Sequence, residues 1–339
     1  METTCSDDIW TLNSITIVDD LESDEYFDYG THETLVLETQ DEAELAVSKN
    51  ICRKKHNHYY NMSEFSEKKL PQKYRHKELL QLIQAMAELT VRIEVKKISN
   101  DRPKNWQGQE NVRYPGHDRR GETVSSYGSG RIADVYQDAK ENITCSCKKC
   151  SSSDSPENWI IWIFTATHVV YDTHEAKNSV CRLFFDTDDT ECKSDFTEIG
   201  IIKKLWNNET GDLCLLAGAT CDTNLALQIK NTIQKLNESW QYIHENPVKK
   251  RRKKTLVIVV SHPHGGPKQI SSGYLRKRNA KDLEDDDGFF FTYTARTCQG
   301  SSGAPVYVYG QNWFVEEIVH SGCNNNFNYS TVWCPATST

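Results

Sequence analysis

A mainly β fold is predicted for this 339-residue chain, and three observations predict it. About ten short runs rich in β-branched and aromatic residues lie between residues 123 and 320, each bounded by turn residues. Little helical periodicity separates them, which favours a sandwich or barrel over a parallel sheet. One stretch with helical spacing, Asn224–Ile243, divides the strand-rich region into two halves.

In chain order, residues 1–50 come first as an acidic arm. They hold 14 Asp or Glu against one basic residue, Lys49. This composition predicts a mostly flexible segment in which short apolar patches, such as Ile15–Val18 and Leu35–Leu37, could dock. Residues 51–115 read as a partly helical extension and linker. Leu79, Leu80, Leu82, Ile83, Met86, Leu89 and Val91 recur at helical spacing, so one amphipathic helix is expected between Pro71 and Val95. Residues 98–120 are polar and broken by Pro103 and Pro115, which places a linker there. The globular domain is expected over 116–339. Its strands before the connecting helix are Thr123–Val135, Trp159–Val170, Ser179–Asp186, Phe196–Leu205 and Leu213–Ala217. Those after it are Leu256–Ser261, Gln269–Leu275, Phe289–Thr294, Ala304–Tyr309 and Phe314–His320.

Composition excludes several classes of function. No apolar run approaches the roughly 18–20 residues of a membrane span, so no membrane partner is expected. The start METTCSDDIW lacks the basic and apolar regions of a secretory signal. Twelve cysteines without such a signal are expected as reduced thiols in an intracellular protein, cytoplasmic or nuclear. The net charge of -8 conceals a slight basic excess beyond residue 50, which argues against a uniformly basic nucleic-acid binder. Six consecutive basic residues, Lys249–Lys254, leave two readings open. They form a nuclear-import or nucleic-acid patch, or a solvated loop that docks the acidic arm.

Three motifs carry chemistry. Thr165-Ala166-Thr167-His168 ends an apolar strand, Asp212-Leu213-Cys214-Leu215-Leu216 begins another, and Gly300-Ser301-Ser302-Gly303-Ala304-Pro305 forms a tight turn. A serine hydroxyl is a poor nucleophile until a neighbouring base takes its proton. An imidazole can accept that proton and return it to a leaving amine, and a buried carboxylate fixes the imidazole tautomer. Glycines around Ser302 let the amides of Gly300 and Ser302 point at a developing oxyanion. No cofactor is required by this chemistry.

On these residues the chain resembles the chymotrypsin/trypsin-like serine peptidases of the PA clan, closest in style to non-secreted members. The resemblance covers about residues 120–335. It implies a double Greek-key β-barrel with a first barrel over about 120–220 and a second over about 250–335, joined by the helix at about 224–243. It implies a serine endopeptidase acting on a protein or peptide substrate, with His168 as general base, Asp212 as its orienting carboxylate and Ser302 as nucleophile. Secreted members carry Asp before the nucleophile and bind a freshly cut N-terminus with it; here that residue is Ser301, so this activation is not expected. Gly128-Ser129-Gly130-Arg131-Ile132 looks like an internal first strand instead. Val169 stands where a disulfide cysteine usually follows the histidine. Two alternative functions remain: a catalytically silent scaffold of the same fold, or a nucleic-acid-associated protein using the basic run.

The resemblance also bears on specificity. The residue six before the nucleophile, Arg296, falls at the base of the primary pocket, and Ile318-Val319-His320-Ser321-Gly322 matches the strand lining it. His320 lies where relatives selective for Glu or Gln carry a histidine. An acidic or Gln side chain is therefore expected at P1, the residue before the scissile bond. The other reading, an apolar pocket with Arg296 in solvent and His320 packed structurally, stays open. With an acidic preference at P1, the acidic arm would compete internally for this pocket. Cys298 and Cys323 match in position a pair that staples the pocket in secreted members; reduced thiols are expected here.

Cys145, Cys147 and Cys150 form a weak zinc candidate. A fourth ligand would have to come from Cys181, Cys192 or a histidine, and spacing fixes none of them. The alternative is a loop of exposed thiols, so no metal is assigned. His262 and His264 read as structural, and His56 and His58 carry no assignment.

Overall fold

The computed structural model describes residues 31–38, 52–137 (without 53, 55, 107 and 108), 145, 147, 150, 158–187, 196–246 (without 210), 254–280, 289–311, 318–324 and 327–332. In the arm, β1 (Thr31–His32) and β2 (Leu35–Leu37), and in the extension β3 (Tyr59–Tyr60), precede helix α1 (Lys77–Leu89). The helix stops where the sequence pattern changes period. Leu79, Leu82, Ile83, Met86 and Leu89 are buried at helical spacing. Thr90-Val91-Arg92-Ile93-Glu94-Val95 then alternates with β-branched residues and forms β4. The helix expected through Val91 thus ends two residues earlier, and Val91 faces the core from a strand.

The first barrel continues after a short hairpin, β5 (Asn105–Trp106) and β6 (Gln109–Arg113). Its further strands are β7 (Ser125–Tyr136), β8 (Trp159–Thr165), β9 (Ser179–Leu183), β10 (Thr197–Asn208) and β11 (Leu213–Thr220), with the short helix α2 (Thr173–Lys177) before β9. The pairing order β4-β7-β8-β11-β10-β9 returns to β4, so six antiparallel strands close on themselves. A domain boundary at 116 would cut this barrel, because β4 pairs with both β7 and β9. Gly128–Ile132 accordingly lies in the second strand of the barrel, not its first.

Helix α3 (Thr223–Glu245) joins the halves, with Asp222 capping its N-terminus through the Leu225 amide. It packs against α1. The second half holds β12 (Leu256–Ser261), β13 (Gln269–Ala280), β14 (Phe289–Tyr293), β15 (Val306–Val308), β16 (Ile318–Asn324) and β17 (Phe327–Val332). Its pairing order, β12-β13-β14-β17-β16, has β15 on the other side of β12, and a bridge from Pro305 to Val319 draws β15 toward β16. Both halves therefore repeat one topology: three strands in sequence, then three in reverse. This is the expected double Greek-key barrel of chymotrypsin type. β12 is apolar throughout because both faces are buried. Val257 and Val259 point into the second barrel, while Leu256, Ile258 and Val260 join the cluster that includes α1 and α3.

Within the arm, the patch Leu35–Leu37 that was expected to be able to dock does so, and residues 31–38 are built into the fold. β1 pairs with β16 of the second barrel and β2 with β7 of the first. The remaining arm residues and Lys249–Lys253 of the basic run lie outside the described residues, as do Cys192 and Phe314–Glu317.

A buried ion pair fixes the segment that follows β8. Glu175 of α2 accepts from Arg102 Nε at 2.6 Å, from Arg102 Nη2 at 2.7 Å, and from the amides of Ser99 and Tyr171. Arg102 Nη1 in turn donates to the carbonyl of His168 at 2.9 Å. Removing one partner leaves an uncompensated buried charge. We predict that Glu175→Ala costs about 3–5 kcal/mol in urea unfolding; a loss under about 1 kcal/mol would show that the pair does not hold this segment.

Candidate functional site

His168 follows β8 of the first barrel, Asp212 immediately precedes β11, and Ser302 belongs to the second half. His168 Nδ1 lies 2.7 Å from Asp212 Oδ2 and its Nε2 lies 2.7 Å from Ser302 Oγ. The His168 amide also donates to Asp212 Oδ1 at 3.1 Å, so the carboxylate grips both backbone and ring. All three residues are buried. Burial alone would push the Asp212 carboxyl up; the charge and hydrogen bonds of His168 outweigh it and hold it below its ordinary value. Asp212 adopts a left-handed backbone (φ 51°), a strained conformation for this residue, held by its amide on Glu209 O and its carbonyl on the Thr167 amide.

The turn around Ser302 is held from several sides. Ser301 Oγ donates to Ser261 Oγ at 3.1 Å and accepts from the Cys298 amide. This residue thus ties the turn together internally. Ser129 of β7 stitches the turn to the first barrel: its amide donates to Ser302 O at 2.7 Å and its hydroxyl to Gly300 O at 2.8 Å. Gly300 has φ 92°, and a Cβ there would sit 2.5 Å from His262 O, so only glycine lets this amide face the cleft.

The cleft contains the chain's own arm. The Glu33 carbonyl accepts from the Gly300 amide at 2.6 Å and from the Ser302 amide at 3.3 Å. Thr31 and His32 pair antiparallel with Cys323 and Gly322, and Leu35–Leu37 run along Ser125–Tyr127. The arm therefore crosses from the second barrel to the first with the Glu33–Thr34 peptide beside Ser302. His32 packs edge-on against His168 (ring centroids 4.5 Å) and stacks on Trp106 (4.6 Å). Burial and then the nearby His168 hold its imidazole at about 3, so it lies neutral against these rings.

The Glu33 side chain is buried against His320. Its carboxylate bonds His320 Nε2 at 2.6 Å and is paired with Lys54. Ser330, Tyr293 and His320 form a relay behind it, at 2.9 Å and 2.6 Å. The Tyr293 hydroxyl donating to Nδ1 leaves Nε2 as the N–H donor toward the carboxylate. Burial lowers the His320 pKa despite Glu33. Burial would raise Glu33, but the bond to His320 and the charges of His320 and Lys54 prevail and hold it at about 2.

Of the residues expected to line a pocket, His320 bonds the Glu33 carboxylate and Gly322 pairs with His32. Arg296 is exposed, away from Glu33, and its carbonyl accepts from Ser271 Oγ. The basic group at Glu33 is Lys54, which also donates to Thr297 O. Sequence reasoning missed Lys54 because the resemblance begins well after it. Cys298 and Cys323 are separate thiols. Cys298 Sγ lies 3.9 Å from Cys52 Sγ, and Cys323 Sγ accepts from Lys54. The thiols of Cys145, Cys147 and Cys150 converge with a fourth from Cys221, while Cys181, considered earlier, lies buried in β9.

Comparison with known proteins gives one family. Residues 150–312 match the trypsin-like peptidase domain. None of the curated proteins matches the chain. Among solved structures, the Rv3671c protease from M. tuberculosis in its active form is 14% identical, with 74% of this chain and 78% of that chain covered and a TM-score of 0.37. Deg5 is also 14% identical, over 76% of this chain and 90% of that chain, with a TM-score of 0.40.

Proposed function

With a trypsin-like peptidase domain as the premise, we propose that the chain is a serine endopeptidase that cuts proteins after glutamate. The observation that carries this reading is the unbroken line Asp212–His168–Ser302, with two contacts of 2.7 Å, beside a carbonyl already cradled by two amides. In this reading Ser302 attacks the scissile carbonyl and His168 takes its proton from Oγ on Nε2. Asp212 holds Nδ1–H and stabilises the imidazolium. The amides of Gly300 and Ser302 receive the oxyanion. His168 then returns the proton to the leaving amine, and a water repeats the sequence on the acyl-enzyme.

Selectivity at P1 follows from the same pocket. His320 Nε2–H can donate to a Glu carboxylate or a Gln carbonyl, so it does not separate the two. Lys54 does, because its cation favours the carboxylate. A Lys or Arg side chain would meet Lys54 as a like charge.

Two measurements test this. A fluorophosphonate probe should label the chain and fail on Ser302→Ala, whose kcat on a Glu-P1 peptide should fall by roughly 10⁵- to 10⁶-fold; equal labelling of both would refute the role of Ser302. Across a P1-scanning peptide set, Glu should lead, and Lys54→Met should cut kcat/KM for Glu relative to Gln by roughly 10- to 100-fold, the worth of one charge-assisted hydrogen bond. Preferred cleavage after Lys or Arg would overturn the assignment of the pocket.

A further inference from the structure

We propose that the first substrate of this site is its own chain, cut between Glu33 and Thr34. This rests on the peptidase reading and deepens it. The arm lies in the cleft as a substrate would. His32 and Thr31 continue as a strand against β16, and Leu35–Leu37 continue on the leaving side as a strand against β7. The Glu33 carbonyl sits on both oxyanion amides.

The step balances within the chain and one water. Ser302 Oγ bonds to the Glu33 carbonyl carbon as its proton passes to His168 Nε2. The C–N bond to Thr34 breaks, and that proton leaves on the new Thr34 amine. Water then hydrolyses the Glu33 ester, giving a Glu33 carboxylate and restoring the Ser302 hydroxyl. The Leu35–Leu37 strand stays on β7. Among the described residues, Thr31–Glu33 of the released fragment are held by the two-residue β1, by the His32 ring contacts and by the Glu33 bonds to His320 and Lys54, so release of Met1–Glu33 would open the site to other substrates.

Intact-mass measurement of the purified full chain tests this, with Ser302→Ala and Glu33→Lys alongside. Wild type should be converted to a chain that begins at Thr34, at a rate independent of protein concentration, and both variants should stay whole. Glu33→Lys meets Lys54 as a like charge, so it should leave the cleft and label with fluorophosphonate. A labelled Glu33→Lys beside a wild type still joined at 33–34 overturns self-cleavage and leaves the peptidase reading standing. No labelling of any form, with no cleavage, overturns both.

A separate observation concerns metal. Two groups of four ligand atoms, each group within 4.8 Å, occur outside the triad among the described residues. One is Cys145, Cys147, Cys150 and Cys221; the other is Cys52, His56, His264 and Cys298. The geometry points to two structural zinc ions, one per group. Zn–S bonds of about 2.3 Å in a tetrahedron place sulfurs roughly 3.8 Å apart. Cys147 and Cys221 are 3.5 Å apart and Cys52 and Cys298 are 3.9 Å apart. His56 and His264 bring their Nε2 atoms to 3.1 Å, a separation suited to two ligands on one ion and poor for two protonated rings. The Cys150 amide points at Cys147 Sγ at 3.4 Å, a bond that a thiolate ligand receives. The first ion would anchor Cys145, Cys147 and Cys150 to Cys221 at the start of α3. The second would clip residues 52–56, and with them Lys54, to the nucleophile turn.

Elemental analysis of the purified full chain should find two zinc ions per chain. Cys147→Ser with Cys221→Ser should leave one, and Cys52→Ser with His56→Ala should leave one. Cobalt substitution gives a second readout on wild type alone, with separate thiolate bands for the S4 and S2N2 sets. Zinc-free protein with all these thiols open to a disulfide reagent overturns both sites, and a single ion overturns whichever pair its loss does not track.

Discussion

The site depends on the stitch between two barrels at Ser129. His168 and Asp212 come from the first barrel and Ser302 from the second, so the 2.7 Å contact between Nε2 and Oγ exists only while the barrels keep their register. Ser129 supplies that register with hydrogen bonds to Ser302 O, Gly300 O and the His262 amide. Its neighbours explain why the segment reads Gly-Ser-Gly. A Cβ at Gly128 would stand 2.6 Å from Val169, and one at Gly130 2.8 Å from Ile93 and 2.9 Å from Phe164 O. Close approach of backbones is what those glycines permit.

The arm exploits the same seam. Strand pairing on both sides of the cleft spreads its docking over backbone bonds, while Glu33 concentrates specificity in one buried carboxylate. A buried carboxylate is costly unless paired, and here His320 and Lys54 supply a donor and a charge. The charge asymmetry of the sequence thus has a local meaning at one residue: an acidic side chain of the arm meets a basic group of the body. That basic group is Lys54 from the extension, not Arg296, which lies between β14 and Ser302.

Much of the fold was legible because its signals are short-range. A continuous β-branched apolar run marked β12 at its observed bounds, and helical spacing marked α3 within two residues at each end. The helix at α1 was overrun because Val91 fits both periods. β17 escaped notice because Asn and Ser interrupt its pattern, although Tyr329 is buried. For the site, the order of His168, Asp212 and Ser302, the two amides and His320 were all readable from local motifs.

By itself the sequence determined which residues have the right chemistry and the order in which they come. Tertiary structure alone decided which of them meet. The pairs that set the pocket and the ligand groups are distant in the chain: 287 residues for His320 and Glu33, 269 for Lys54 and Cys323, 246 for Cys52 and Cys298. Periodicity and motif spacing carry no information over such separations. Those contacts form only when both barrels close and the extension folds across them, because backbone pairing of β1 and β2 on two different barrels is what carries Glu33 to Ser302.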